Sequence, residues 1–342
     1  MKIEFVRGVL LLASALGVVP CGQAWDYEGH RVVNQLALSS LPTNFPAFVK
    51  TGANSERIAF LAGEPDRWRN SPDLPFKHAS GPEHYMDMEQ LADYELKAES
   101  LPIFRYDFVA QLGVYRRQHP EKFAAPAEGK NEDHTRELIG FLPYAISENY
   151  SKLKSGFSYL KAFEAHGGTP EEIANAQANI VYVMGVMGHF AGDASQPLHA
   201  TKHHHGWVGA NPEHYATNSR IHAWIDGGFF NKIGGADLKK LQGKARPARL
   251  LTIQDRPAHT DEVFQASIEF LLEQQKLVEK VYQLDRDHKI DGEPGAAPEG
   301  RDFLEGQLLK GGQLLGDLWY SAWQQAPEDS FLKGQLNRRS HH

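Results

Sequence analysis

Cysteine is all but missing from this chain of 342 residues, which carries only Cys21. That excludes a disulfide framework and any thiolate-based zinc site. Long apolar runs are missing too. The longest, residues 9–19 (VLLLASALGVV), is about 11 residues and too short to span a bilayer. Basic residues are not in excess: 36 Lys and Arg stand against 43 Asp and Glu, for a net charge of −7. This argues against a broad cationic footprint for duplex DNA or an anionic membrane, though not against a local cationic site. No stretch alternates β-branched residues at sheet spacing, and no internal repeat or linker divides the chain. What is present is an ordinary globular composition, with 41% hydrophobic and 23% charged residues, and an unusual 17 histidines. Histidine at that density points to metal or proton chemistry.

Residues 1–24 read as a secretory signal peptide. Lys2 and Arg7 precede the apolar run, and small residues flank a cut expected after Ala24. A lipidated Cys21 is the rival reading, and Pro20 directly before it speaks against that. Cleavage would remove Lys2, Glu4, Arg7 and the only cysteine, and would leave a secreted or periplasmic protein of charge −8 starting at Trp25.

The remainder, 25–342, is expected to form one all-α domain. Apolar residues recur at helical spacing over 30–40, 103–117, 144–164, 170–192, 261–283 and 302–324. Pro170 suits the first turn of its helix, and Thr260 is the expected N-cap of 261–283. The Pro/Gly-rich stretches 63–82, 201–212 and 291–300 read as surface loops.

The chemistry lies in His and Asp residues at fixed spacings. His189 and Asp193 are four apart on a helix, so they share a face and can share a metal. Pro197 then ends the helix and returns His199. A second pair at the same spacing follows, His222 and Asp226. Upstream stand Asp66 in EPDRWR and His84 in EHYMDM. Trp25 and His30 lie at the predicted mature terminus, where a free amine and its own carbonyl form a five-membered chelate.

Together, Trp25 with its WxxxxH spacing, PDRWR, HYMD, HFAGDASQPLH and HAWID resemble the zinc-dependent nuclease and phospholipase C superfamily, in particular its single-strand-specific nucleases and 3′-nucleotidases. The resemblance implies a helical fold with three zinc ions at the bottom of a cleft. It implies that Asp66, His84, His189 and Asp193 bind one ion, that Trp25, His30 and the shared Asp193 bind a close neighbour, and that His199, His222 and Asp226 bind the third. It places Asp87 beside the attacking water as the catalytic carboxylate and Tyr85 where a nucleobase stacks. Read alone, Asp87 could be an ordinary loop carboxylate and Tyr85 a packing residue.

The implied activity is cleavage of single-stranded DNA or RNA to 5′-phosphorylated products, with 3′-nucleotidase activity beside it. Asp226, where the phospholipases usually carry Glu, and the long gap from His199 to His222 favour the nucleases. Gly209-Ala210-Asn211, where they usually carry two glycines before the asparagine, and the missing cysteines depart from them. A phospholipase C acting on membrane lipid is the alternative, and a non-catalytic zinc-binding protein the second. The run His203-His204-His205 reads either as a polar loop or as an arm that acquires metal. His119, His134, His166, His259 and His288 lack partners in the pattern and read as surface or core residues.

Overall fold

The computed structural model describes residues 25–127, 129–252, 261–293 and 298–339. Among them the chain is helical throughout, with no strand and one isolated bridge between Met86 and Gly140. The first half holds α1 (Tyr27–Ser40), α2 (Gly52–Leu61), α3 (Glu64–Arg69), α4 (Leu74–Ser80), α5 (Arg105–Gln118), α6 (Leu142–Ala165) and α7 (Pro170–Ser195). The second half holds α8 (Arg220–Ala223), a π turn at Trp224–Gly228, α9 (Phe229–Ile233), α10 (Leu238–Lys244), α11 (Glu262–Gln275), α12 (Val278–Arg286), α13 (Glu299–Gln324) and α14 (Ser330–Arg339).

The long helix α7 is the axis of the molecule. Pro170 starts it where no N–H is needed, and Thr169 and Glu172 exchange side-chain and backbone hydrogen bonds in a capping box. Its C-terminal half is surrounded: every residue from 184 to 195 is buried. It packs against α6, α13, α2 and α1, and their buried side chains join one continuous core. Within that core Phe190 is buried, and truncating a phenylalanine so placed costs on the order of 3–5 kcal/mol. Two glycines let α1 approach closely. A Cβ at Gly188 would lie 1.6 Å from Asn34 Oδ1, and one at Gly192 would lie 2.6 Å from His30 Nδ1. Small residues here convert helix packing into proximity between His30 and Asp193.

The six periodic segments are all helical, with shifted ends. Residues 261–283 form two helices rather than one, breaking at Lys276 and Leu277, and the first is capped by Asp261, whose side chain accepts from the Phe264 N–H. Thr260 lies outside the described residues, as do 294–297 of the stretch 291–300, where α13 already starts at Glu299. Residues 63–82 are not a loop. They hold α3, α4 and the start of a 3-10 turn (Gly81–His84), because Pro65, Pro75 and Pro82 each sit in a first turn, where proline is tolerated. Residues 201–212 are irregular, as expected. Helices α2, α10 and α14 were not legible in the sequence.

Candidate metal centre

Each candidate ligand is held by a different local device. His30 sits on the first turns of α1, whose N-cap Asp26 accepts from the Gly29 N–H. Asp66 is on α3, and its Oδ1 lies 2.9 Å from Arg69 Nε one turn on. His84 ends the 3-10 turn, and the chain after it is clipped into place. Met86 N–H donates to the His199 carbonyl (2.9 Å), Asp87 N–H to that of Ile139 (2.7 Å), and Leu142 N–H to that of Tyr85 (3.2 Å). Gly140 makes this possible, since its φ of +101° and bare Cα accommodate the Tyr85 carbonyl, which a Cβ would meet at 2.0 Å. His189 and Asp193 share a face of α7. After Ser195 the chain turns extended at Gln196 and re-enters a 3-10 turn (Pro197–Ala200) that carries His199. His222 and Asp226 bridge from α8 into the π turn, with Nε2 and Oδ2 3.0 Å apart. Wide turns of this kind recur at functional sites.

These side chains converge. Asp193 is the hub: Oδ1 lies 3.5 Å from His30 Nε2, while Oδ2 lies 3.0 Å from His84 Nδ1 and 3.2 Å from His189 Nε2. One carboxylate thus faces two clusters of nitrogen. Three groups could each hold a metal ion: His84 with His189 and Asp193, His30 with Asp66 and His189, and His199 with His222 and Asp226. His30 therefore groups with Asp66 and His189 as well as facing the shared Asp193.

The protonation pattern suits a cation. A backbone carbonyl can only accept, so His189 Nδ1 donates to the Ala62 carbonyl (2.7 Å), His199 Nδ1 to that of His84, and His222 Nδ1 to that of His204 (3.0 Å). In the neutral rings each Nε2 is then a bare lone pair. The Nε2 atoms of His199 and His222 face each other at 3.1 Å, and His189 Nε2 lies 2.9 Å from His84 Nδ1. The facing lone pairs of His199 and His222 repel unless something positive sits between them, and carbonyl-oriented imidazoles are the usual support of metal ligands. Both Asp193 oxygens, Asp226 Oδ2 and both His30 nitrogens are buried without a hydrogen-bond partner. That would be costly unless a ligand satisfied them.

Burial holds His30, His84 and His199 well below the ordinary histidine range, so they are neutral and ready to bind. It pushes Asp193 up to about 6 and raises Asp226. For His189 burial acts downward, but the Asp193 and Asp66 carboxylates outweigh it and raise the group. The donor set is imidazole and carboxylate, suited to zinc and its neighbours in the first transition row.

The cluster opens into a cavity of about 310 Å³, with His84, His199 and His222 among its lining residues. Arg69 and Lys77 provide cations on its wall, and Tyr85 lines it, with its hydroxyl donating to the Leu138 carbonyl (3.3 Å). Asp87 belongs to none of the three groups. It is buried, with Oδ1 3.5 Å from His204 Nδ1 and Oδ2 accepting from Gln90 (3.1 Å). Trp25 carries no side-chain ligand. Its ring is buried and donates to Ser195 Oγ (3.2 Å), while the Asp26 N–H donates to the Asp226 carbonyl. Residues 1–24 and the expected cut after Ala24 lie outside the described residues.

The histidine run divides. His203 stacks on Trp207 (4.2 Å) and accepts from the Val208 N–H, while His204 and His205 line the metal cavity. A plain polar loop is thus too simple a description. His119, His166 and His288 lie near acidic side chains away from the cluster, and His259 lies outside the described residues. Gln196 escaped the sequence reading: its Nε2 donates to Asp226 Oδ1 (2.7 Å) and its Oε1 accepts from the Leu198 N–H. Only its place between two ligands, Asp193 and His199, could have flagged it. Arg69 was visible only as the residue three after Asp66.

Compared with known proteins, the chain matches no protein-family model and no curated protein at significant similarity.

Proposed function

We propose that this protein is an exported, zinc-dependent phosphodiesterase that cleaves single-stranded DNA or RNA to 5′-phosphorylated products, with 3′-nucleotidase activity beside it. The observation that carries the reading is the opening of a buried, carbonyl-oriented His/Asp cluster into a cavity walled by Arg69 and Lys77. A storage site needs the ligands but not the cationic opening. The resemblance to the single-strand-specific nucleases supplies the substrate class.

Trp25 (through its amine and carbonyl), His30, Asp66, His84, His189, Asp193, His199, His222 and Asp226 are assigned as the ligands of three zinc ions. Bound zinc supplies Lewis acidity and an activated water at neutral pH. The protein does the rest. Arg69 and Lys77 bind the non-bridging oxygens of the phosphodiester and hold it over the cluster. Water adds to phosphorus and the P–O3′ bond breaks, leaving a 5′-phosphate and a 3′-hydroxyl. Asp87 is assigned as the carboxylate that takes the water's proton, with His204 positioned beside it. Tyr85, on the cavity wall, is assigned to the nucleobase, since stacking accepts any base.

The test is a paired assay on zinc-loaded protein starting at Trp25. One arm holds single-stranded DNA and RNA, the other phosphatidylcholine vesicles, each with and without chelator, and bound zinc is counted alongside. Chelator-sensitive release of 5′-nucleotides with about three tightly held ions is expected. Diacylglycerol release alone would move the chain to the phospholipases, and silence in both arms with zinc bound would leave a binding protein.

A further inference from the structure

Helix α5 packs on the rest of the molecule along one side. Phe108 stacks on Tyr144, with ring centroids 5.3 Å apart, and Leu112 is buried one turn on. The opposite side faces outward and is largely apolar. Tyr106 is 85% exposed, Val109 39% and Val114 43%, and Ala110, Gly113 and Arg117 are exposed with them. These positions recur at intervals of three and four, so they form one continuous face along the helix. Phe104, just before the first turn and 64% exposed, extends it. Apolar side chains exposed singly are ordinary, but a contiguous apolar face marks a contact surface.

The order of residues on that face points to what covers it. Consider a second α5 laid antiparallel across the first, with a two-fold axis at the height of Gln111 and Leu112. Helix geometry then sets Tyr106 against the partner's Arg117, Val109 against the partner's Val114 and Ala110 against the partner's Gly113. The axis repeats each pair, so all six positions are used. Small residues meet at the centre, where the helix axes come closest. A Cβ at Gly113 would meet nothing within 4 Å, so that space is not filled by the protein's own chain. At both ends a guanidinium meets an exposed aromatic ring. The charges agree as well. α5 carries Asp107 in its first turn and Arg116 and Arg117 in its last. An antiparallel pair brings each acidic start to a basic end and opposes the two helix dipoles, whereas a parallel pair would set arginine on arginine.

We propose that the outward face of α5 is a two-fold symmetric interface through which two copies of this chain pair antiparallel. None of its residues belongs to the metal groups or lines the metal cavity, so the pairing is independent of the proposed chemistry. The helix has 14 residues, a length of about 21 Å. With Phe104 its contact falls at the low end of specific interfaces, below about 1,200 Å² in total, where transient complexes lie. The dimer should therefore form in the micromolar range.

Sedimentation equilibrium of the zinc-loaded protein starting at Trp25, across the micromolar range, tests the pairing. The wild type should pass from monomer to dimer as concentration rises. Val109→Glu and Val114→Lys should each weaken the dimer about tenfold or more. Helix content and melting temperature of the monomer should not change, since both side chains are exposed in a single copy. The double variant Val109→Glu/Val114→Lys should recover most of the loss. Each new carboxylate then faces a new ammonium across the interface, while the two lie too far round their own helix to meet. A monomer at every concentration, single variants that dimerise like the wild type, or a double variant no better than the singles would overturn the interface. So would a monomer that cosediments with phosphatidylcholine vesicles and loses that binding on Val109→Glu, which would assign the face to lipid.

Discussion

Replacing Asp193 by asparagine keeps the shape of the hub and removes its charge. In the metal-free protein this carboxylate is fully buried and its pKa is pushed up to about 6, against an ordinary carboxyl value of 3.8. One pKa unit corresponds to about 1.4 kcal/mol, so holding the ionised group in place costs the folded state roughly 3 kcal/mol at neutral pH. The sign follows from proton binding. Between about pH 4 and pH 6 the folded state holds a proton that the unfolded chain has lost, so this contribution falls as pH rises and is fully unfavourable above about 6. Asp193→Asn should therefore stabilise the chelator-treated protein at pH 7.5, by roughly 5 °C in melting temperature for a chain of this size. The difference should shrink to nothing near pH 4. Zinc should reverse the order, because a ligand at a thousandfold its Kd stabilises the wild type by about 4.1 kcal/mol, more than that cost, and the variant has lost the shared carboxylate. Thermal unfolding of both proteins, with zinc and with chelator, at pH 4 and 7.5 decides it. A variant that is less stable than wild type without metal, or that gains as much from zinc, would refute the placement of Asp193 at the centre of a cation site.

Four further outcomes are expected. Gly192→Ala puts a Cβ 2.6 Å from His30 Nδ1, so isothermal titration should show zinc binding weakened or reduced, with helix content by circular dichroism nearly intact. Gln196→Ala frees Asp226 from its amide donor and should lower zinc affinity about 10- to 100-fold, as loss of a ligand's hydrogen-bonding support generally does; an unchanged titration would remove Gln196 from the site. Because burial already keeps His30, His84 and His199 neutral, zinc uptake at pH 7.5 should release few protons from them, and affinity should fall as pH drops through about 6, where Asp193 protonates; calorimetry in buffers of different ionisation enthalpy reads both. One extra residue ahead of Trp25 should cost one zinc ion and most of the hydrolysis, and full activity would exclude the amine as a ligand.

Much of this was legible in the sequence. The 3.6-residue rhythm located the six long helical segments, because burying one face of a helix imposes that period whatever the partner. The i, i+4 pairs His189/Asp193 and His222/Asp226 were readable for the same reason, since helix geometry fixes them before any packing. Short elements escaped: α3 and α4 hide behind first-turn prolines that also mark loops, and the break at Lys276 leaves no mark in the apolar pattern.

The sequence by itself determined the all-α class and the residues able to bind metal, because both follow from side-chain chemistry and local period. Tertiary structure alone decided how those residues group. It put the two oxygens of Asp193 between His30 and His84, which lie more than a hundred residues from it, by letting α1 pack onto Gly188 and Gly192 of α7. It set the tautomers through the carbonyls of Ala62, His84 and His204, and it turned His204 and His205 toward the cavity while pinning His203 on Trp207. The contacts of Asp193, His189 and His199 join residues distant in the chain, and only the packed core, which no local period encodes, brings them within bonding reach.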